Sequence, residues 1–180
     1  AEHGAEVTVV PLDLASPTAV TELRSALDAA EVVVTSLINN AGFGSFGEFL
    51  HDDPERLNEM IAVDILAPVQ LSHAFLPDII AAEGFLINVA SMAASAPTPR
   101  MAVYGGAKAF VLSWTEALWA ETRHTGATVF ALSPGATSTE FNAVVGTADA
   151  TAGASMCTAA DVVATAMAHL ERRSPRAEHG

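Results

Sequence analysis

Tyrosine and cysteine occur once each in these 180 residues, as Tyr104 and Cys157, and lysine occurs once, as Lys108. A single cysteine excludes an internal disulfide, which fits a reducing compartment, so a cytoplasmic location is expected. Basic side chains are also scarce: eight Lys and Arg stand against 21 Asp and Glu, a formal charge of −13. Nucleic acids and anionic membranes attract basic surfaces, so neither is expected as a partner. No apolar run reaches membrane-spanning length. The start has no basic segment followed by an apolar one, the pattern of a signal peptide. The six histidines are scattered, with no C-x-x-C or H-E-x-x-H spacing, so no metal site is expected. Most of them read as ordinary surface or boundary residues.

What is abundant is Ala and Val within an apolar content of 51%. That suits a buried parallel sheet flanked by close-packed helices. Val7 to Val10 reads as a strand. Ser16-Pro17 is a cap-and-proline start for a helix to about Ala30. Glu31 to Ile38 (EVVVTSLI) reads as a second strand and Asn39 to Asp52 as a glycine-rich loop. Asp53-Pro54 opens a helix whose apolar pattern runs to about Leu76. Phe85 to Ala90 is a third strand, Met101 to His124 a long helix, and Thr128 to Leu132 a fourth strand ending in Ser133-Pro134-Gly135. A Gly/Ala/Thr-rich stretch, Ala136 to Ser155, has the small residues of a substrate-shaping lid. Thr158 and Asp161 then form a capping pattern for a last helix.

This alternation predicts an α/β fold, a doubly wound parallel sheet with helices on both faces, in one domain over 1–180. In such sheets ligands bind beyond the carboxyl ends of the strands. The residues there are Asp13-Leu14, Asn39-Asn40-Ala41-Gly42, Ser91 and Ser133-Pro134-Gly135.

The stretch AVYGGAKAF, Ala102 to Phe110, sets the only tyrosine and the only lysine four residues apart, on one face of a helix. Alone, the pair means little and reads as a half-buried tyrosine with a lysine stem packed beside it. Three companions weigh against that. Ser91 follows the strand FLINVA directly, NNAG follows the second strand, and SPGATST follows the fourth. A phenol with a pKa of about 10 is a poor base, and a nearby ammonium favours its anion. Tyr104 would then exchange a proton with a substrate oxygen near neutral pH, while Ser91 holds that oxygen by a hydrogen bond.

Together these motifs resemble the short-chain dehydrogenase/reductase family, from about Val7 to His169. INNAGFGSFGEF and AVYGGAKAFVLSWTEAL are most similar to its broad general-oxidoreductase branch. The resemblance implies a Rossmann-type fold and hydride transfer between NAD or NADP and a small carbonyl or alcohol substrate. It implies Ser91, Tyr104 and Lys108 as catalytic residues, with Asp64 at the relay position beside them. Tyr104 and Lys108 would also contact the cofactor, Lys108 through the nicotinamide ribose hydroxyls. Asp13 and Leu14 would contact adenine, and the turn Asn40, Ala41 and Gly42 would support the central strand and the cofactor. Pro134 and Gly135 would lie beside the nicotinamide, and Thr137 and Thr139 would reach its carboxamide and the phosphates. The complete enzyme would be a homodimer or homotetramer, joined through helices 54–76 and 101–124.

Two departures shape the expectation. The family has Asn where MIAVDILAP places Asp64. Pro68, four residues on, has no N–H, so the carbonyl of Asp64 loses its intrahelical partner and stays available for a relay water. The second departure is the absent opening strand, T-G-x-x-x-G-x-G loop and helix. The first two strands and the last strand are expected to be missing, the sheet incomplete, and the chain a fragment of a longer enzyme. Val7 to Val10 would then pair with 31–38 or remain an unpaired edge. The choice between NAD and NADP belongs to the absent second strand. GFGSFG, Gly42 to Gly47, spells G-x-G-x-x-G, but the next helix opens only at Asp53, so it is not read as a phosphate loop. A second reading stays open: a non-catalytic fragment or degenerate relative that only binds a partner.

Overall fold

A computed structural model describes residues 4–138, 156–172 and 174–179. Its strands are β1 (Leu37–Asn39), β2 (Phe85–Val89), β3 (Thr128–Pro134), β4 (Thr137–Ser138), β5 (Cys157–Thr158) and β6 (Arg176–His179). Its α-helices are α1 (Ala19–Ala29), α2 (Pro54–Ile61), α3 (Ala67–Ala81), α4 (Ala102–Thr122) and α5 (Ala159–Leu170). Four strands make one parallel sheet in the order β1-β2-β3-β6, and β4 and β5 form a separate parallel pair. Leu37 lies opposite Leu86, Leu86 opposite Val129, and Leu132 opposite Ala177.

Period-two alternation in β2 and β3 feeds two cores. Leu86 and Val129 pack with Leu71, Phe75 and Ile79 of α3. Ile87, Phe130 and Leu132 pack with Val162 and Ala166 of α5 on the opposite face. Ala131 and Ala90 admit Val111 and Leu112 of α4. Burying each of these Leu, Ile, Val and Phe side chains contributes about 1.5–3 kcal/mol. The expected parallel sheet with helices on both faces is therefore present.

Several details differ from expectation. The closing strand is represented by β6, whose pairing with β3 supplies an edge that the sequence had left empty. Val7 and Val9 are exposed and form no ladder, because no strand among the described residues lies beside them. The second strand shrinks to Leu37–Asn39, and Val32 and Val33 are exposed. Ahead of it, the Ser36 hydroxyl accepts from the Phe85 N–H at 3.2 Å, where a strand would use its backbone. Helix α1 starts at Ala19 rather than Pro17, since the Ser16 N–H first closes a turn on the Asp13 carbonyl. His169 is buried against Phe130 rather than at the surface, with Nε2 3.0 Å from the Ser174 hydroxyl.

From Pro54 to Ala81 the chain is helical for 28 residues, long and apolar enough by length and composition to cross a membrane. That corrects the expectation that no segment has this length. Its Leu71, Phe75 and Ile79 are built into the sheet core.

Candidate active site

All four strands of the main sheet run parallel, so their carboxyl ends share one edge. The ends of β1, β2 and β3 deliver Asn40, Ser91 and Gly135 there. Asn40, Ala41 and Gly42 are exposed along that edge. The Ser91 side chain caps the short helix Met92–Ser95, accepting from the Ala93 N–H at 3.1 Å.

Asp64 arrives by an irregular route. Asp53 caps α2, with its carboxylate 3.0 Å from the Glu55 N–H and Pro54 at the first position. Pro68 cannot continue regular helix bonding, and the turn before it widens to a π-helix over Ala62–Leu66. The Ala67 N–H returns five residues to the Ala62 carbonyl. Asp64 sits inside this turn at 1% exposure.

Its carboxylate touches two groups. Oδ1 accepts from the Phe43 N–H at 3.0 Å. Oδ2 lies 3.4 Å from Lys108 Nζ, an ion pair that lacks hydrogen-bond alignment, and among the described residues no other donor reaches that oxygen. Burial pushes the Asp64 carboxyl above its usual range, while the Lys108 charge and the Phe43 N–H oppose that rise. Lys108 donates to the Val89 carbonyl at 3.2 Å, and its Nζ stands 5.7 Å from the centre of the Tyr104 ring. Gly42 faces this pair closely: a Cβ there would meet Nζ at 3.0 Å and Asp64 Oδ1 at 3.1 Å.

Tyr104 packs with Met60 and Met101 beneath Phe43 and Phe46 of the glycine loop. Its phenol is pushed up to about 12, chiefly by burial and further by the Asp64 charge, against a hydrogen bond with Ser91 that lowers it. This corrects the expectation of a tyrosine lowered by its lysine. The lysine is present, but its charge is answered by Asp64 at closer range.

Not every expected residue joins this cluster. Pro134 pairs with β6, and Thr137 donates to the Gly135 carbonyl at 3.0 Å. Asp13 accepts from the Ala15 N–H at 2.9 Å in the turn before α1, and Leu14 packs in the α3 core. Thr139 and the rest of 139–155 lie outside the described residues. GFGSFG is a loop into which no helix opens; the Gly47 N–H bonds to the Arg100 carbonyl at 2.8 Å.

Sequence reasoning missed the backbone partners Val89 and Phe43, which carry no side-chain signal. It also missed a buried polar chain. Asn39 Nδ2 donates to Asn88 Oδ1 at 2.7 Å and to the Ser72 hydroxyl at 3.1 Å, and Asn88 Nδ2 donates to the Thr115 hydroxyl at 2.9 Å. It ties β1 and β2 to α3 and α4 behind the site. An Asn inside the apolar run FLINVA was the available signal, since buried polar groups are paired.

The family model for short chain dehydrogenases matches residues 1–150. This chain belongs to the short-chain dehydrogenase family. A sulfoacetaldehyde reductase of Chromohalobacter salexigens is 34% identical over 141 residues, covering 77% of this chain and 56% of that protein. A very-long-chain 3-oxoacyl-CoA reductase of Laccaria bicolor is 32% identical over 118 residues, covering 64% of this chain and 34% of that protein. The chain thus spans about half the length of the curated relatives it matches, or less. Among solved structures, a short-chain dehydrogenase from Sphingobium yanoikuyae in complex with NADPH superposes with a TM-score of 0.86 at 28% identity. That match covers 98% of this chain and 69% of the other.

Proposed function

We propose that the chain carries the proton-transfer site of an NAD(P)-dependent oxidoreductase acting on a small carbonyl or alcohol substrate. The observation that carries this reading is the convergence of Ser91, Tyr104 and Lys108 at the carboxyl edge of the sheet. The residues present fit the nicotinamide end of such a cofactor. Gly42 leaves open the space a Cβ would fill beside Lys108 Nζ, and an ammonium has a third donor beyond those facing Val89 and Asp64.

In this reading Lys108 holds the ribose hydroxyls, and Tyr104 stands beside the same ribose. The shelf of Asn40, Ala41 and Gly42, with Pro134, Gly135, Thr137 and Thr139, borders the nicotinamide half. Asp13 and Leu14 border the adenine. When bound, a reduced nicotinamide supplies the hydride. Ser91 orients the substrate oxygen, and Tyr104 transfers its phenolic proton to that oxygen. Asp64 acts on Tyr104 through Lys108 and so positions charge rather than substrate.

The test is consumption of NADH or NADPH by the chain with a panel of small aldehydes and ketones. Turnover is expected, and Tyr104→Phe should lower it by about 10²–10⁴-fold. A folded chain that binds cofactor yet turns over no carbonyl would favour the partner-binding reading instead.

A further inference from the structure

Asp64 is the one buried acidic side chain among the described residues, and Lys108 is the one lysine in the chain. An ammonium promotes ionisation of a neighbouring phenol only through the charge left after its closer partners are counted. Here the closer partner is a carboxylate oxygen at 3.4 Å, against 5.7 Å to the tyrosine ring centre. The two opposite charges offset each other's field, so Tyr104 faces an ion pair rather than a lone cation. The ion pair is buried on both sides, which limits screening by solvent ions.

Other charged groups stand around the site, among them Glu55 and Glu59 of α2. Arg56 of α2 and Arg100 of the loop before α4 stack over the Phe43 and Phe46 rings at 4.9 and 4.6 Å. Those rings pack against the cluster that contains Tyr104. Glu48 of the glycine loop pairs with His51. The Met92–Ser95 helix and β2 bring no charged side chain.

We propose that Asp64 neutralises Lys108 and thereby holds Tyr104 as a neutral proton donor, setting this site to reduce carbonyls rather than oxidise alcohols near neutral pH. In reduction the Tyr104 O–H bond breaks and its proton joins the substrate oxygen. A bound reduced nicotinamide would supply the hydride for the carbonyl carbon and be left oxidised, and solvent would reprotonate the phenolate. Oxidation runs these steps backward and needs the phenolate at the start, a form the neutral pair does not favour. The upward shift of the phenol and the contribution of the Asp64 charge to it agree with this assignment.

This inference rests on the reading of Tyr104 as the proton donor, but its test does not require catalysis. Tyr104 is the only tyrosine, so the phenolate absorbance of the intact chain reports this one group. Tyr104→Phe should abolish the alkaline transition. Asp64→Asn should lower its midpoint by about one pH unit or more, because Lys108 is then uncompensated. Asp64→Glu should stay close to the unmodified chain, and Lys108→Gln should raise the midpoint. The double variant should return toward the starting value, as a coupled pair requires. Circular dichroism at each midpoint confirms that the fold is intact. An Asp64→Asn midpoint equal to or above that of the unmodified chain overturns the proposal, whatever the carbonyl assays show. If Asp64→Asn does not fold, Lys108→Gln decides: a rise supports the proposal and no change overturns it.

Discussion

Lys108 reaches three things at once: the Val89 carbonyl, the Asp64 carboxylate and the face of Tyr104. Only the last two change protonation chemistry, and they pull in opposite directions. Burial above all, opposed by the Ser91 hydrogen bond and reinforced by the Asp64 charge, raises Tyr104 in the folded state to about 12 against an ordinary 10.0. A group raised on folding binds its proton more tightly in the native state. Its stabilising contribution is complete below pH 10 and is lost as pH rises through about 12. Two pH units correspond to about 3 kcal/mol for this buried group. Urea denaturation between pH 9 and about 12 should therefore show a steep loss of stability, and Tyr104→Phe should flatten that slope. An unchanged slope in the variant would assign the alkaline loss to other groups. At this scale the sequence was legible in identity but not in effect. The pairing of a lone Tyr with a lone Lys pointed to the site. The sign of the tyrosine's shift was hidden, because it depends on burial and on a carboxylate forty residues upstream in the chain.

Element boundaries show where reading from sequence works. Helix α4 and strand β3 match expectation closely, because each has packing partners along its length. The stretches Val7 to Val10 and Glu31 to Ser36 have β-branched composition yet form no ladder, because β propensity needs a neighbouring strand. Strand β6 was missed for the opposite reason: RAEH has no strand character of its own and is strand because β3 lies beside it. The π-turn at Ala62–Leu66 was half legible. Pro68 announced an interrupted helix, but not that the widened turn would carry a buried Asp64.

The join between β1 and β2 is close-packed. A Cβ at Gly84 would stand 1.7 Å from the Thr35 carbonyl oxygen, so backbone must move to admit it. Gly84→Ala should cost about 1–3 kcal/mol, as overpacked positions do, and thermal unfolding measures it. A melting temperature equal to that of the unmodified chain would show that the 31–36 segment yields freely.

Across the whole molecule, two features bear on assembly. The formal charge of −13 opposes association at low salt. Against it, Ile61, Leu66 and Phe110 expose apolar surface on the two long helical segments, and Phe110 stacks on Trp114 at 6.1 Å. We propose that these helices join two copies of the chain, and that added salt strengthens the association by screening the acidic surfaces. Sedimentation should show a dimer that Phe110→Glu weakens; a monomer at all concentrations and salt levels would contradict this.

We propose that the carboxyl edge of the sheet, from Gly42 to Lys108, receives a nicotinamide cofactor. Titration of the folded chain with NADH and with NADPH, followed by cofactor fluorescence, tests it most directly. Saturable binding that Lys108→Ala weakens is expected. Absence of binding to a chain shown by circular dichroism to be folded would contradict it.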